Sequence, residues 1–364
     1  MSRAGGPGRG RRALAGHRRL GRLLRWLLAA AALSVAGLVV SSRGGELSGT
    51  SHYLGRIDLA WVLLAVVVEI LSMACYAGAQ RRLLREAGNR RPLRRLLLIA
   101  FAGNAVNNSL PAGPAFGAVY SFRQLRNIDV GEVVAAWVIV ATTVMLSAAL
   151  AVMAALGVTA AVGQGTAFDL LGVTLGTLAA TAGLIALLRQ PRLIGAAIRV
   201  VLASLRAVLR RSRWAPVDVA GRIQARLESV EPSWPGMSAV FGWALGNWCL
   251  DLACLITAFQ AMDVPVPWRG LLLAYGAAQL AANLPVTPGG LGVVEGSLTI
   301  GLVAYGGSAP SSVAAVLIYR LISFWALLLV GWACVGALAV IARRRAAVAL
   351  PPPSYGDAPA EVAP

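Results

Sequence analysis

Four ionisable residues sit inside long apolar runs of this chain: Glu69, Asp251, Glu295 and Arg320. Each costs roughly 2.5–3.5 kcal/mol to insert at the centre of a membrane helix, so each needs a partner or a wet cavity. Six amides lie in the same runs: Asn104, Asn107, Asn108, Asn247, Gln279 and Asn283. Small residues suffice to pack helices in lipid, so amides in that number point to a polar cavity. In Asn283-Leu-Pro-Val-Thr-Pro-Gly-Gly-Leu-Gly-Val-Val-Glu295 the prolines end one half-helix, and the glycines let backbone approach a ligand closely. A second half-helix then starts with unpaired N–H groups, which suit a phosphate. Arg320 offers paired donors to such an anion, and Glu295 either holds Arg320 or titrates. Glu69 and Asp251 are expected near the ends of their helices and rank lower.

Membrane helices must position these residues. The 364 residues are 58% hydrophobic and 13% charged, with a mean hydropathy of +0.71, against roughly 45–50% apolar and 25% charged for a soluble domain. A crossing takes about 20 apolar residues. Six crossings are read, at 26–40, 59–79, 132–158, 168–188, 239–260 and 312–342. All 33 basic residues are Arg, and 29 of them fall in five segments: eight through Arg25, seven from Arg81 to Arg95, Arg123 with Arg126, nine from Arg189 to Arg226, and three from Arg343 to Arg345. The positive-inside rule makes these segments cytoplasmic, which predicts a multi-pass protein of the cell membrane with both termini inside. The net charge of +18 then marks topology and attraction to anionic lipid, and no nucleic-acid partner is expected. The first apolar segment has a second reading as a secretory signal, against which stands the lack of a small-x-small cleavage site after Val40.

Cys75, Cys249, Cys254 and Cys334 have no CxxC spacing, and His17 and His52 stand far apart. No metal and no cofactor are expected. Hydrolase and ATPase motifs (HExxH, GxSxG, Walker) are absent, so the chain is not expected to be an enzyme. Between 191 and 213, Arg192, Arg199, Arg206 and Arg213 recur every seven residues. That segment is either a helix lying in the membrane interface or a cytoplasmic extension of the preceding span.

Two apolar segments resemble each other. Arg95 stands 16 residues before Pro111 in LLLIAFAGNAVNNSLP, and Arg269 stands 16 before Pro285 in LLLAYGAAQLAANLP. Pro and Gly in the middle of each would break a continuous membrane helix, so each reads as a helical hairpin. The arginines have the first hairpin enter and leave from inside, and the flanking spans have the second do so from outside. The expected fold class is therefore an all-α polytopic membrane protein, with about six full crossings plus two re-entrant helical hairpins in an inverted repeat. Full crossing by each half of a hairpin is the alternative. In this scheme 1–25 is an Arg-rich cytoplasmic tail and 26–342 the transmembrane domain. Within it, repeats at about 59–158 and 239–342 flank a linking span and interfacial helix at about 168–213, and 343–364 form a disordered cytoplasmic tail.

The run LPVTPGGLGVVEG, its weaker upstream copy, and Leu317-Ile-Tyr-Arg320-Leu-Ile resemble the flippase-like transmembrane region of lysylphosphatidylglycerol synthases and their stand-alone relatives, over about 59–342. The resemblance implies movement of an anionic phospholipid or a polyprenyl-phosphate-linked group between leaflets. The headgroup phosphate would then lie at the hairpin tips, against Asn283, Pro285, Pro288, Gly289, Gly290, Gly292, Glu295 and Arg320. Asn104, Asn107, Asn108, Pro111, Asn247 and Asp251 would form a secondary polar cavity. Bifunctional members carry a soluble aminoacyltransferase domain after the membrane region. Only 343–364 follow the last span here, so synthesis of lysylphosphatidylglycerol by this chain is not expected. The first hairpin departs from the pattern, with Tyr120 in place of Glu295 and Ala115-Phe116 in place of Gly289-Gly290-Leu291. Site roles therefore carry to the second hairpin alone. A function of another class is a non-catalytic membrane partner that docks a lipid-modifying or glycosyl-transferring enzyme on its Arg-rich loops. A third is an intramembrane enzyme using Glu69, Asp251 and Glu295 as acid and base.

Overall fold

The computed structural model describes residues 57–110, 113–162, 233–282 and 287–348, with four further positions between 172 and 183. Among these the chain is all helical: α1 (Leu59–Glu86), α2 (Leu93–Ser109), α3 (Gly113–Arg126), α4 (Glu132–Val162), α5 (Trp234–Gln260), α6 (Trp268–Ala282), α7 (Val293–Ala304), α8 (Ala309–Arg320) and α9 (Leu327–Val348). A π-helical turn, Leu321–Ala326, joins α8 to α9 in one continuous helix. Among the described residues, four helices are long and apolar enough to cross a membrane, namely α1, α4, α5 and the α8–α9 helix. They fall on the segments expected at 59–79, 132–158, 239–260 and 312–342. The last runs on through Arg343 and Arg344 to Val348. The segments expected at 26–40, 168–188 and 191–213, the tail 1–25, and the site candidates Pro111, Asn283 and Pro285 lie outside the described residues.

Helix starts follow local chemistry. Asp58 accepts the Ala60 N–H at 2.8 Å, Ser233 accepts that of Gly236 at 3.0 Å, and Ser308 that of Ser311 at 3.3 Å. The last two are followed by proline in the first helical turn, where its missing N–H costs nothing. On α1, Leu63, Leu64, Val67 and Leu71 remain exposed. In a chain this apolar they form a lipid-facing surface.

The centre of the molecule is an antiparallel pairing of α1 with α5. At one end the Asp58 N–H donates to the Ala261 carbonyl at 2.8 Å. At the other, the Glu86 carboxylate accepts the Ser233 N–H at 3.0 Å and its hydroxyl at 2.9 Å, placing negative charge at the N-terminus of α5. Between these ends Gly78 lies under the Trp243 indole, Gly246 meets Cys75, and Ser72 bonds Asn247.

Around this pair stand two helical hairpins whose arms pack antiparallel. Gly103 and Gly117 let α2 approach α3, at Ser121 and Asn107 respectively, and Gly270 and Gly301 let α6 approach α7, at Tyr305 and Ala274. The arms have 17, 14, 15 and 12 residues. At 1.5 Å per residue they are roughly 18–26 Å long, shorter than the ~30 Å hydrocarbon core.

The packing maps onto itself when α1, α2, α3 and α4 are exchanged for α5, α6, α7 and the α8–α9 helix. α2 packs on α9 as α6 packs on α4, and α1 meets α4 as α5 meets α8. Gly157 of α4 abuts the backbone of Leu272 and Leu273, and Gly331 of α9 abuts that of Phe101. These two glycines are 174 residues apart, the separation of Arg95 from Arg269.

A methyl at Gly331 would lie 2.4 Å from the Phe101 carbonyl oxygen, and one at Gly157 would lie 2.6 Å from the Leu273 nitrogen, whereas Gly242 faces open space. Overpacking of a helix seam costs about 1–3 kcal/mol. Thermal unfolding in detergent should therefore show a lower midpoint for Gly157→Ala and Gly331→Ala, and an unchanged one for Gly242→Ala.

Candidate functional site

A cavity of about 360 Å³ lies where the two halves meet. Its walls carry Glu69 and Ser72 from α1, Asn104, Asn107 and Asn108 from α2, Asn247 and Asp251 from α5, and Gln279 from α6. Gly289 of the glycine turn, Tyr319 and Arg320 of α8, and Ser323 and Phe324 of the π turn complete them. A polar cavity inside apolar helices has to satisfy its own donors and acceptors, and here three clusters satisfy most of them.

The first cluster fixes Arg320. Its Nε donates to Glu295 Oε1 at 2.6 Å and its Nη2 to the Gly289 carbonyl at 3.1 Å, while the guanidinium carbon sits 4.5 Å from the centre of the Phe324 ring. Glu295 in turn accepts the Gly292 N–H at 2.6 Å, capping α7. The turn Pro288–Gly290 makes this possible. Gly289 has φ +59°, Gly290 +68° and Gly292 +81°, in the left-handed region that suits glycine. A methyl on Gly289 would fall 2.2 Å from Phe324 Cε2 and 3.1 Å from the Asn108 carbonyl oxygen. The glycine turn is thus wedged between the π turn and the end of α2, which brings the two hairpin tips together. π turns recur at functional sites, and this one directly follows Arg320.

The second cluster surrounds Asp251. Its Oδ2 accepts the hydroxyl of Tyr275, that of Tyr319 at 2.8 Å and the Gln279 amide at 3.0 Å. Gln279 also donates to the Tyr319 oxygen at 3.0 Å. Glu69 faces Asp251 and the Cys254 thiol across the α1–α5 seam, and its Oε2 is buried with no hydrogen-bond partner. The third cluster is amide. Asn108 donates to Asn104 Oδ1 at 2.7 Å, and Asn247 clasps the carbonyl and hydroxyl of Ser72 at 2.9 and 2.8 Å.

Of the site residues expected from sequence, Asn104, Asn107, Asn108, Asn247, Asp251, Gly289 and Arg320 share this one cavity. Pro288, Gly290, Gly292 and Glu295 instead shape the turn behind it. One expectation is corrected. Glu69 and Asp251 do not lie near helix ends: they are 3% and 8% exposed in the interior of α1 and α5, because antiparallel pairing puts the middle of one helix against the middle of the other. Three N–H groups of the glycine turn are already engaged. That of Gly290 donates to the Thr287 carbonyl, that of Leu291 to the Pro288 carbonyl, and that of Gly292 to Glu295.

Tyr275 and Tyr319 escaped the sequence reading. Their signal was available, since a tyrosine hydroxyl buried in an apolar helix requires a partner, and Tyr275 precedes Gln279 by one helical turn. Among the described residues no three His, Cys, Asp or Glu come together as a metal centre.

With this geometry in view, comparison with known proteins finds a match of residues 26–331 to a family model described as the lysylphosphatidylglycerol synthase TM region. Two curated relatives of Methanothermobacter thermautotrophicus, each described as a UPF0104 membrane protein, are 38% and 33% identical over 89 residues. The aligned stretch is 24% of this chain and 25% or 26% of theirs, so the chain spans about a quarter of the length of the curated relatives it matches.

The wedge of Gly289 against Phe324 makes a two-step test. Gly289→Ala adds both backbone strain and a clash, together about 1–3 kcal/mol, and should lower the thermal midpoint. Adding Phe324→Leu should recover part of that loss, because it relieves the clash and leaves the positive φ.

Proposed function

The chain belongs to the lysylphosphatidylglycerol synthase transmembrane-region family, and from that premise we propose that it moves a phospholipid or lipid-linked group between leaflets, with the headgroup phosphate in the central cavity. One observation carries this reading: both halves of an otherwise apolar bundle turn polar side chains into a single cavity, and the pinned guanidinium of Arg320 stands in its wall. A held guanidinium recognises phosphate with little further ordering. Amides of Asn104, Asn107 and Asn108 line the same cavity and offer neutral donors. In this arrangement the anion meets side chains, since the N–H groups of Gly290, Leu291 and Gly292 are already engaged. The acyl or prenyl chains stay in lipid.

Exchange-symmetric packing, the antiparallel α1–α5 pair and the shared 174-residue offset support reading 59–158 and 239–342 as inverted repeats. The short arms of α2–α3 and α6–α7 support reading these hairpins as re-entrant, with the substrate site at the repeat interface. Residues 26–342 then form one transmembrane domain. Glu86 and Ser233 meet at the end of the α1–α5 pair that lies next to the arginines at 81–95, so that end is taken as cytoplasmic, with both termini inside.

Reconstituted protein should accelerate the passage of a fluorescent short-chain phosphatidylglycerol across liposome membranes. Arg320→Ala should slow it at least about tenfold, the worth of one charge-assisted hydrogen bond, and Glu295→Gln should slow it less. Equal rates for wild type, Arg320→Ala and empty liposomes would remove the translocator reading. For topology, a membrane-impermeant thiol reagent added to intact cells should label Pro265→Cys and spare Arg90→Cys, each in a background freed of the four native cysteines.

A further inference from the structure

We propose that Glu69 and Asp251 form a proton-binding site in the cavity wall, with the proton on Glu69, and that occupancy of this site is coupled to occupancy of the anion site at Arg320. The second half of this statement rests on the function proposed above, and the first half does not.

The inference starts from a count of charges. Groups facing the pair are Cys254 from α5, Tyr275 and Gln279 from α6, and Tyr319 and Arg320 from α8. Arg320 is the one cation among them, and it already lies 2.6 Å from Glu295. Glu69 and Asp251 therefore face each other across the α1–α5 register with, among the described residues, no cation nearby except one already paired with Glu295. Two carboxylates facing each other in a buried site repel each other and both lose hydration, and one proton between them removes the repulsion and one of the two desolvation costs.

Hydrogen bonding assigns the proton. Asp251 Oδ2 accepts from two tyrosines and one amide, an environment built for negative charge. Glu69 has no such shell. Its Oε2 is buried without a partner while its residue lines the cavity, so this oxygen is the buried one on the pair that no donor among the described residues claims.

Coupling follows from position. Tyr319, which donates to Asp251, and Arg320, which bonds Glu295, are neighbours on α8 and face one cavity. An anion arriving at Arg320 adds negative charge beside the carboxyl pair and so favours the proton on Glu69. Loss of that proton places a second negative charge beside the anion. The two sites are thus linked reciprocally, and at alkaline pH, where Glu69 has begun to lose its proton, anion binding draws the proton back.

Infrared spectroscopy of the full chain in nanodiscs of zwitterionic lipid tests this, because a protonated carboxyl absorbs apart from carboxylates and its band moves in heavy water. Wild type at neutral pH should show one such buried band. Glu69→Gln should remove it, Glu69→Asp should shift it, and Glu295→Gln should leave it in place. Adding dioctanoylphosphatidylglycerol as the anionic probe should strengthen the band at fixed alkaline pH, with proton uptake from a weakly buffered medium. Absence of the band from wild type, or its loss on adding sodium at constant pH, would overturn the proton site in favour of an ionised pair or a bound cation. Probe binding without proton uptake would overturn the coupling. A protein that shows the band and the uptake yet fails to move lipid in liposomes would keep this site and lose the translocator reading, so the two failures are separable.

Discussion

The antiparallel seam of α1 and α5 is the constraint on which the rest of the molecule depends. Lipid offers no hydrogen bonds to a polar group, so whatever polar chemistry these helices carry must be closed between them. The seam is held at one end by the backbone bond of Asp58 to Ala261 and at the other by the Glu86 carboxylate on Ser233. Its middle is kept close by Gly78 and Gly246. Those anchors leave no freedom for sliding, and they set Glu69 opposite Asp251 and Ser72 opposite Asn247. Every other contact of the cavity is laid against this register.

The hairpins solve a second problem, which is how to bring irregular backbone into the centre without exposing it. The turn after Pro288 leaves the helical path at three glycines, and the N–H groups of Gly290, Leu291 and Gly292 are consumed locally by Thr287, Pro288 and Glu295. Two of its carbonyls meet side-chain donors: that of Leu291 accepts the Thr287 hydroxyl and that of Gly289 is taken by Arg320. Glu295 therefore does two jobs with its two oxygens: one caps α7 and the other orients the guanidinium. Removing it would loosen the helix start and the cation together, so effects at Glu295 and Arg320 are expected to be non-additive.

The sequence was legible where a signal is local. Hydropathy located the long helices, and proline with glycine located both breaks. The constellation Asn104, Asn107, Asn108, Asn247, Asp251 and Arg320 stood out as polar residues in apolar runs, and the fold gathers them in one cavity. What escaped was set by tertiary register. Glu69 and Asp251 are 182 positions apart, and only the α1–α5 pairing makes them neighbours. Tyr275 and Tyr319 read as ordinary aromatic residues until Asp251 is placed between them. The local bonding of the Gly290, Leu291 and Gly292 N–H groups was equally hidden, because a sequence shows that a half-helix begins but not which carboxylate reaches back to cap it. The matched glycines Gly157 and Gly331 lie outside the motif that revealed the repeat, and their shared role is visible only in the packing.

The two charged clusters of the cavity answer one rule in opposite ways. Arg320 and Glu295 cancel each other at 2.6 Å and are further tied to backbone and to an aromatic face, so their positions are fixed whatever enters the cavity. Glu69 and Asp251 share a sign, and nothing in the described residues supplies the missing positive charge. A buried site with one neutralised cation and one unbalanced anionic pair is asymmetric in what it can change. The Arg320 side can accept an anion without moving, whereas the Glu69 side must adjust its proton or admit a cation whenever the local charge alters. That asymmetry separates a rigid element from a responsive one within a single cavity of about 360 Å³, and it follows from charge and contact alone.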